Sequence, residues 1–201
     1  MDAAIILAAG AATRMGRTKQ LLSFGGSTLV RNAVEQAIGA GFDRIALVVG
    51  SHAAQVADAV AGLPIEIVRN QVWETGMGSS LVSGLQHILA TGPIPDYVAI
   101  LLADQPLVRA SHLLAMRQIT SQLQCPILAA RYSETLGVPA FFHRALFSEL
   151  EALPPSAGAR HLLKLHSQNV TAFDLPEAAT DIDTPADLSS LKNASLKNGS
   201  D

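Results

Sequence analysis

The stretch Ala3-Ala4-Ile5-Ile6-Leu7-Ala8-Ala9-Gly10 decides the fold of this chain. Residues 3–9 are all apolar and do not alternate with polar positions, so they predict a strand that is buried on both faces. The run ends directly in a loop over residues 10–19, which is rich in small residues. A buried strand that runs into such a loop is typical of an α/β protein with a parallel sheet.

Short apolar runs and helical patterns alternate after this first strand. Further strands are predicted over residues 44–49, 65–69, 97–103 and 126–131. Helices are predicted over residues 29–40, 52–61, 78–90 and 111–122, the first with Ser27 or Thr28 near its start and Gly41 at its end. The alternation predicts parallel βαβ units with right-handed crossovers.

The pattern changes after Arg131. It becomes a short apolar run over residues 138–142, two short helices separated by Pro154-Pro155, a strand over residues 170–175 and a helix over residues 185–191. We expect a single domain over residues 1–191 and a polar tail over residues 192–201.

Composition and charge exclude several classes of protein. The net charge of −3 argues against non-specific nucleic-acid binding, which needs a basic surface. Cys125 is the only cysteine, so no disulfide can form within the chain and a reducing compartment is expected. Without an apolar run of about 20 residues or a secretory leader, the sequence predicts a cytoplasmic protein that does not enter the membrane.

The loop over residues 10–19 carries Arg14, Arg17 and Lys19 in an otherwise acidic chain. Its backbone N–H groups can surround a phosphate chain, while arginine gives bidentate contacts and lysine a mobile point charge. The Gly-Lys-Ser/Thr ending of a Walker loop is absent. The alternative interpretation is a solvated surface loop with ordinary surface cations.

Polar residues follow several of the predicted strands, whose carboxyl ends meet at one edge of a parallel sheet. Asn70 and Asp104 are the informative ones. A carboxylate at the end of a buried strand suits Mg²⁺, although Asp104 could equally cap the next turn. The pair Asp181 and Asp183 could likewise cap the last helix.

A second glycine-rich segment, Gly76-Met77-Gly78-Ser79-Ser80-Leu81, lacks the third glycine of a dinucleotide fingerprint. It favours a helix start whose N–H groups face a base or ribose, or else an ordinary helix entry. The six histidines show no metal-ligand spacing, so they are interpreted as surface or structural residues.

These segments together resemble the MobA-like nucleotidyltransferases, and within them most closely the molybdenum-cofactor cytidylyltransferases. The signature is Leu7-Ala8-Ala9-Gly10-x-x-x-Arg14-Met15-Gly16-x-x-Lys19. Residues 76–81 resemble the base-contacting motif of that family, residues 102–106 its metal-binding motif and residues 181–188 its closing motif. The motifs follow one another along the chain in the order found in the family. The resemblance implies a Rossmann-like three-layer α/β/α sandwich with a mostly parallel mixed sheet.

The resemblance also implies which residues form the site. Nucleotide binding is expected at Leu7, Ala8, Ala9, Gly10, Arg14, Gly16, Lys19, Gly76, Gly78 and Ser80, with Asn70 at the same sheet edge; acceptor binding is expected at Gly137, Pro139, Gly158, Ala159 and Arg160. Asp104 and Asp183 would hold Mg²⁺. Arg14, Lys19 and Asp104 would carry the catalysis.

The implied reaction is transfer of CMP from CTP to the molybdenum cofactor with release of pyrophosphate, and a molybdoenzyme is the expected recipient. The Ala8-Ala9-Gly10 opening resembles the CTP-using branch of the family. Two positions depart from its pattern, because Ala12 replaces a serine and Val138 a frequent histidine. The alternatives are GTP or another phosphorylated acceptor, a non-catalytic nucleotide or cofactor carrier, and an oxidoreductase, for which no nicotinamide or flavin fingerprint is present.

Overall fold

The computed structural model of the protein describes residues 1–10 and 18–180. Three predicted site residues, Arg14, Gly16 and Asp183, lie outside this part of the chain. The predicted helix over residues 185–191 and the tail over residues 192–201 also lie outside it.

The described residues form a seven-stranded sheet in the order β5-β4-β1-β6-β8-β7-β9. Its strands are β1 (Asp2–Ala8), β4 (Arg44–Val49), β5 (Glu66–Arg69), β6 (Tyr97–Leu102), β7 (Ile127–Tyr132), β8 (Thr135–His143) and β9 (Val170–Asp174). Within this sheet β8 runs antiparallel to both of its neighbours, and all other paired strands are parallel. The prediction of a mostly parallel mixed sheet is therefore confirmed.

Helices cover both faces of the sheet. They are α1 (Leu29–Gly39), α2 (Ala53–Ala59), α3 (Met77–Thr91), α4 (Ala110–Leu123), α5 (Phe147–Glu151) and α6 (Ala159–Leu165). The buried side chains of α1, α2 and α4 share one core with Ile6, whereas those of α3, α5 and α6 share the other with Ile5. Successive residues of a strand point to opposite faces, so this division produces three layers.

Local sequence signals fix the first helix. Thr28 caps it by accepting a hydrogen bond from the Arg31 N–H at 3.3 Å. Gly41 follows its C-terminal end with a φ of +74°, a left-handed conformation that glycine adopts without strain. Both ends of α1 therefore agree with the prediction.

The region after Arg131 differs from the prediction. The apolar run over residues 138–142 is part of the longer strand β8, which forms a hairpin with β7 and lies between β7 and β6. The fourth and fifth predicted strands are therefore not neighbours. Ser133 and Glu134 make the turn with φ values of 47° and 58°, without the glycine or asparagine that normally indicates such a turn.

A smaller hairpin was also not predicted. Strands β2 (Ser23–Phe24) and β3 (Ser27–Thr28) are joined by Gly25 and Gly26, both with positive φ. The other elements predicted within residues 1–10 and 18–180 are present, with ends shifted by a few residues. Within the described part of the chain, no helix is long and apolar enough to span a bilayer.

Candidate functional site

The carboxyl ends of β1, β4 and β6 meet at one edge of the sheet. The Ser51 N–H donates to Ala9 O at 3.0 Å, and the Ala103 N–H donates to Leu7 O at 3.3 Å. The end of β1 is therefore held between the ends of its two neighbours. Leu7, Ala8 and Ala9 are buried, and Gly10 emerges at the surface where the loop begins.

Lys19 and Asp104 meet at this edge. Lys19 begins a short 3₁₀ helix (Lys19–Leu21), and its Nζ lies 2.8 Å from Asp104 Oδ2. The two side chains are 15% and 27% exposed, so the ion pair is largely shielded yet still reachable from solvent. The structure thus brings together two residues that were predicted to act in catalysis, from two separate segments.

The second oxygen of Asp104 is the strongest indication of a cation site. Asp104 Oδ1 is buried and has no hydrogen-bond partner among the described residues. A buried carboxylate oxygen without a partner is costly, and a bound cation would compensate for that cost. Within residues 18–180 no N–H of a helix start donates to the Asp104 carboxylate, so the capping alternative finds no support there.

Asp104 alone does not make a complete metal site. Within the described ranges, no group of three or more His, Cys, Asp or Glu side chains could hold a metal ion. The second predicted ligand, Asp183, lies outside those ranges. The chemistry of Asp104 therefore fits a divalent cation that also takes oxygens from a bound phosphate chain, as Mg²⁺ does.

Gln20 closes the loop at its far end. Its side chain is 7% exposed, and its Nε2 donates to Gly10 O at 2.9 Å. This contact joins the first residue of the loop to the helical turn that carries Lys19. The sequence analysis missed this residue, because nothing in the sequence distinguishes a buried glutamine from an exposed one.

Asn70 and Ser80, two predicted ligand contacts, bond to each other. The Asn70 Nδ2 donates to Ser79 Oγ at 2.8 Å and to Ser80 Oγ at 3.0 Å, while its Oδ1 accepts from the Val72 N–H at 3.0 Å. Asn70 is 2% exposed and Ser80 is 4% exposed. Both side chains fix the start of α3 to the end of β5, and their role as ligand contacts stays a prediction.

Gly76 and Gly78 allow the loop after α5 to dock on the start of α3. A Cβ at Gly78 would lie 2.3 Å from both Pro154 O and Ala157 O, and a Cβ at Gly76 would lie 2.5 Å from Pro155 O. The N–H groups of Gly78 and Ser79 donate to Pro155 O at 2.9 and 3.3 Å. These two N–H groups are therefore satisfied within the chain, and a role of this helix start in ligand binding stays a prediction.

A cleft of 480 Å³ adjoins the ends of β4 and β5. His52, Arg69 and Trp73 are among its lining residues. Trp73 packs so closely on Gly50 that a Cβ there would lie 2.5 Å from the ring atom Cγ and 2.8 Å from Ala9 O. Gly50 therefore lets the tryptophan pack directly beside the end of β1.

The predicted acceptor residues lie on β8 and at the start of α6. Gly137 and Pro139 are buried, and a Cβ at Gly137 would lie 2.2 Å from the Tyr132 hydroxyl oxygen. Arg160 is exposed in the first turn of α6. That these residues bind the acceptor stays a prediction.

Gln105, directly after Asp104, connects strand β8 to the site. Its Nε2 donates to Val138 O at 3.1 Å and to Ala178 O at 2.8 Å. Gln105 lies within the predicted metal-binding motif over residues 102–106, but its links to two later segments are visible only in the fold.

Two of the histidines are paired with glutamates, whereas His52 lines the cleft at the ends of β4 and β5. His87 Nε2 lies 2.7 Å from Glu66 Oε2, and His166 Nε2 lies 2.7 Å from Glu149 Oε2. Hydrogen bonds from Arg44 hold the pKa of Glu66 below its ordinary value, and the contact with His87 lowers it further. Cys125 is buried.

Comparison with known proteins agrees with this geometry. The MobA-like NTP transferase domain matches residues 4–171. The nicotine blue oxidoreductase of Paenarthrobacter nicotinovorans is 32% identical over 192 residues, which cover 90% of this chain and 91% of that protein. The purine catabolism protein PucB of Bacillus subtilis (strain 168) is 28% identical over 204 residues, covering 94% and 95%.

A solved structure is also similar. Rv0371c of Mycobacterium tuberculosis H37Rv, in complex with manganese, superposes with a TM-score of 0.72 at 29% identity, and the match covers 94% of this chain and 97% of that one. The fold, the order of the motifs and the match to the family domain lead to the same conclusion. This chain belongs to the MobA-like NTP transferase family.

Proposed function

We propose that this protein transfers CMP from CTP to the molybdenum cofactor and releases pyrophosphate. The observation that carries the proposal is the position of Lys19, 2.8 Å from Asp104 and directly after a loop that leaves the buried strand β1. A cation that can bind phosphate and a carboxylate whose buried oxygen has no partner among the described residues are two groups suited to nucleotidyl transfer.

The reaction is an in-line displacement. A phosphate oxygen of the acceptor attacks the α-phosphorus of CTP, the bond between the α-phosphorus and the bridging oxygen breaks, and pyrophosphate leaves with the bond electrons. No covalent intermediate with the protein is needed. Lys19 and Arg14 stabilise the negative charge that develops on the phosphate oxygens, and the loop backbone orients the triphosphate.

Asp104 and Asp183 would hold Mg²⁺. The cation supplies positive charge to the triphosphate oxygens when it is bound. A structure of the similar protein Rv0371c was solved in complex with manganese, which supports the use of a divalent cation. The shielded position of Asp104 would also keep bulk water from competing for the carboxylate.

The choice of CTP rests on the Ala8-Ala9-Gly10 opening, which resembles that of the CTP-using branch. The choice of acceptor rests on the motif resemblance and on the buried strand β8, whose residues Gly137 and Pro139 occupy the acceptor positions of that motif. GTP as donor and a different phosphorylated acceptor are the alternatives within the same chemistry.

A panel assay tests donor and acceptor together. The full chain is incubated with Mg²⁺, molybdenum cofactor and each of the four NTPs, and pyrophosphate release and product mass are measured. We expect release with CTP only when the acceptor is present. Faster turnover with GTP would overturn the donor assignment. A thermal shift with CTP but no release with any NTP would favour a non-catalytic carrier.

A second candidate comes from the name of one relative, which is called an oxidoreductase. The chain has no G-x-G-x-x-G sequence after a strand, so a nicotinamide-dependent reaction has no recognised binding loop here. Following NADH and NADPH absorbance with nicotine blue as substrate separates the two functions. We expect no turnover in that assay.

A further inference from the structure

We propose that Gln105 is a positioning residue, which holds strand β8 and the turn before residue 181 against Asp104. The inference rests on the proposed function for what these segments bind, but the contacts themselves are independent of it. Gln105 is 3% exposed, and its amide nitrogen uses both of its hydrogens, one on Val138 O and one on Ala178 O.

The contact with Val138 joins β8 to the segment after β6 at a point where the backbone pairing of the two strands has ended. The pairing of β6 with β8 runs from Tyr97 opposite His143 to Ile100 opposite Ala140, where it stops. Pro139 has no N–H, and the register of the neighbouring β7 shifts between Ala129 and Ala130. Beyond this point the described part of β8 is tied to the β6 segment by the side chain of Gln105.

The contact with Ala178 holds a second segment. Ala178 is fully buried in a 3₁₀ turn (Pro176–Ala179), which follows β9 and is anchored by the Leu175 N–H on Arg131 O at 3.0 Å. The chain continues from this turn into residues 181–188, the closing motif of the sequence analysis. One amide group thereby links Asp104 to both the predicted acceptor strand and the chain that leads to Asp183.

The contacts of Gln105 with described residues are on the predicted acceptor side of the site and do not include the nucleotide loop. Asp104 and Gln105 are adjacent in the chain, so the contacts of the Gln105 amide set where β8 lies relative to Asp104. Gly10, at the start of the nucleotide loop, is held by a different contact, the hydrogen bond that Gln20 Nε2 donates to its carbonyl oxygen. Loss of the Gln105 amide should therefore impair acceptor binding and turnover, while CTP binding remains nearly unchanged.

The test uses Gln105→Met, which keeps the length of the side chain and removes both donors. Gln36→Met is the matched control, because Gln36 also joins two elements by accepting from the Ala110 N–H at 2.8 Å. Amide hydrogen exchange is followed by mass spectrometry, CTP affinity by titration, and the KM for the molybdenum cofactor and kcat by pyrophosphate release. If Gln105→Met does not fold, Gln105→Asn, which shortens the side chain but keeps the amide, replaces it.

For Gln105→Met we expect faster exchange over residues 135–140 and 176–180, an acceptor KM raised about tenfold and kcat lowered by a similar factor. The Kd for CTP should change less than about twofold, and Gln36→Met should leave the exchange of both segments and the acceptor KM unaltered. Unchanged exchange in both segments overturns the proposal. So does an equal loss of CTP and acceptor affinity, because that result indicates a general structural role.

The exchange measurement keeps this inference separate from the proposed function. If the wild-type protein transfers no nucleotide to any acceptor, the proposed function fails. In that case faster exchange in the two segments of Gln105→Met still supports the positioning contacts, and unchanged exchange still overturns them.

Discussion

Lys19 Nζ lies 2.8 Å from Asp104 Oδ2, so the cation of the predicted phosphate loop is paired with the predicted metal carboxylate. In the proposed reaction each residue of this ion pair also binds a ligand, since Lys19 binds the triphosphate and Asp104 binds the metal ion. Binding of nucleotide and metal should therefore be coupled, because each ligand releases a group that the other needs.

Lys19→Met tests this coupling. Without the ammonium group Asp104 is free to bind a cation, so Mn²⁺ alone should bind several-fold more tightly, as measured by electron paramagnetic resonance titration. Nucleotide turnover should fall about a hundredfold, because a charge-assisted contact to the phosphates is lost. Lys164→Met, an exposed lysine on α6, is the control. Weaker Mn²⁺ binding by Lys19→Met would contradict the coupling.

Gln20→Met should loosen the nucleotide loop. Its Nε2 no longer anchors Gly10 O, so the KM for CTP should rise about tenfold with a smaller change in kcat. Steady-state kinetics with varied CTP check this, with Gln36→Met as the control for loss of a half-buried glutamine that makes a backbone contact. If the KM for CTP stays at the wild-type value while the melting temperature falls, Gln20 has only a structural role.

Two glycine substitutions should affect different properties, one the stability and the other the binding of CTP. Gly78→Ala places a methyl group 2.3 Å from Pro154 O, so the free energy of unfolding should fall by about 2 kcal/mol. A methyl group at Gly10 meets no described atom within 4 Å, so Gly10→Ala should unfold like the wild type but bind CTP more weakly. Urea unfolding and CTP titration of both variants check the contrast. Equal stability of Gly78→Ala and the wild type would show that the loop over residues 154–157 does not dock on α3.

The ion pair between Arg44 and Glu66 should make stability depend on pH in acid. The pKa of Glu66 is lowered in the folded protein, chiefly by hydrogen bonds from Arg44, so the folded state binds fewer protons than the unfolded chain. Its contribution is present above the unfolded pKa of about 4.3 and is lost as the pH falls through the lowered folded value.

Glu66→Gln measures that contribution directly. At pH 7 the variant should be less stable by about 1–3 kcal/mol, because Arg44 loses a charged, bidentate partner. The difference should narrow below about pH 4. Glu35→Gln, which removes an exposed i,i+4 pair with Arg31, should cost less than about 0.5 kcal/mol. Urea unfolding of each variant and the wild type at pH 7 and pH 3 measures these differences in stability. If the difference between Glu66→Gln and the wild type widened in acid, the pKa of Glu66 would not be lowered by folding.

The central strands could be predicted because their sequences are buried on both faces. Residues 3–9, 44–49 and 97–103 are unbroken apolar runs, and such runs occur where helices cover both sides of a sheet. The ends of α1 were equally predictable, since Thr28 and Gly41 act locally. The meeting of Lys19 with Asp104 followed from a general rule, that ligands bind where parallel strands end.

Contacts between distant segments could not be predicted in this way. The turn at Ser133 and Glu134 lacks the residues that normally indicate a tight hairpin, so the position of β8 between β6 and β7 was missed. Gly78 was expected to contact the nucleotide, but its close packing against Pro154 could not be read from the sequence. Small residues permit close contact without specifying what makes it, and only the packed fold supplies the partner.

Asp104→Asn is the most direct test of the central claim, that this sheet edge is a nucleotidyl-transfer centre. The initial rate of pyrophosphate release is measured with Mg²⁺, CTP and molybdenum cofactor, alongside Asp58→Asn, an exposed aspartate on α2. Asp104→Asn should fold normally and lose about a hundredfold or more in rate, while Asp58→Asn keeps the wild-type rate. A near-wild-type rate for Asp104→Asn would contradict the account.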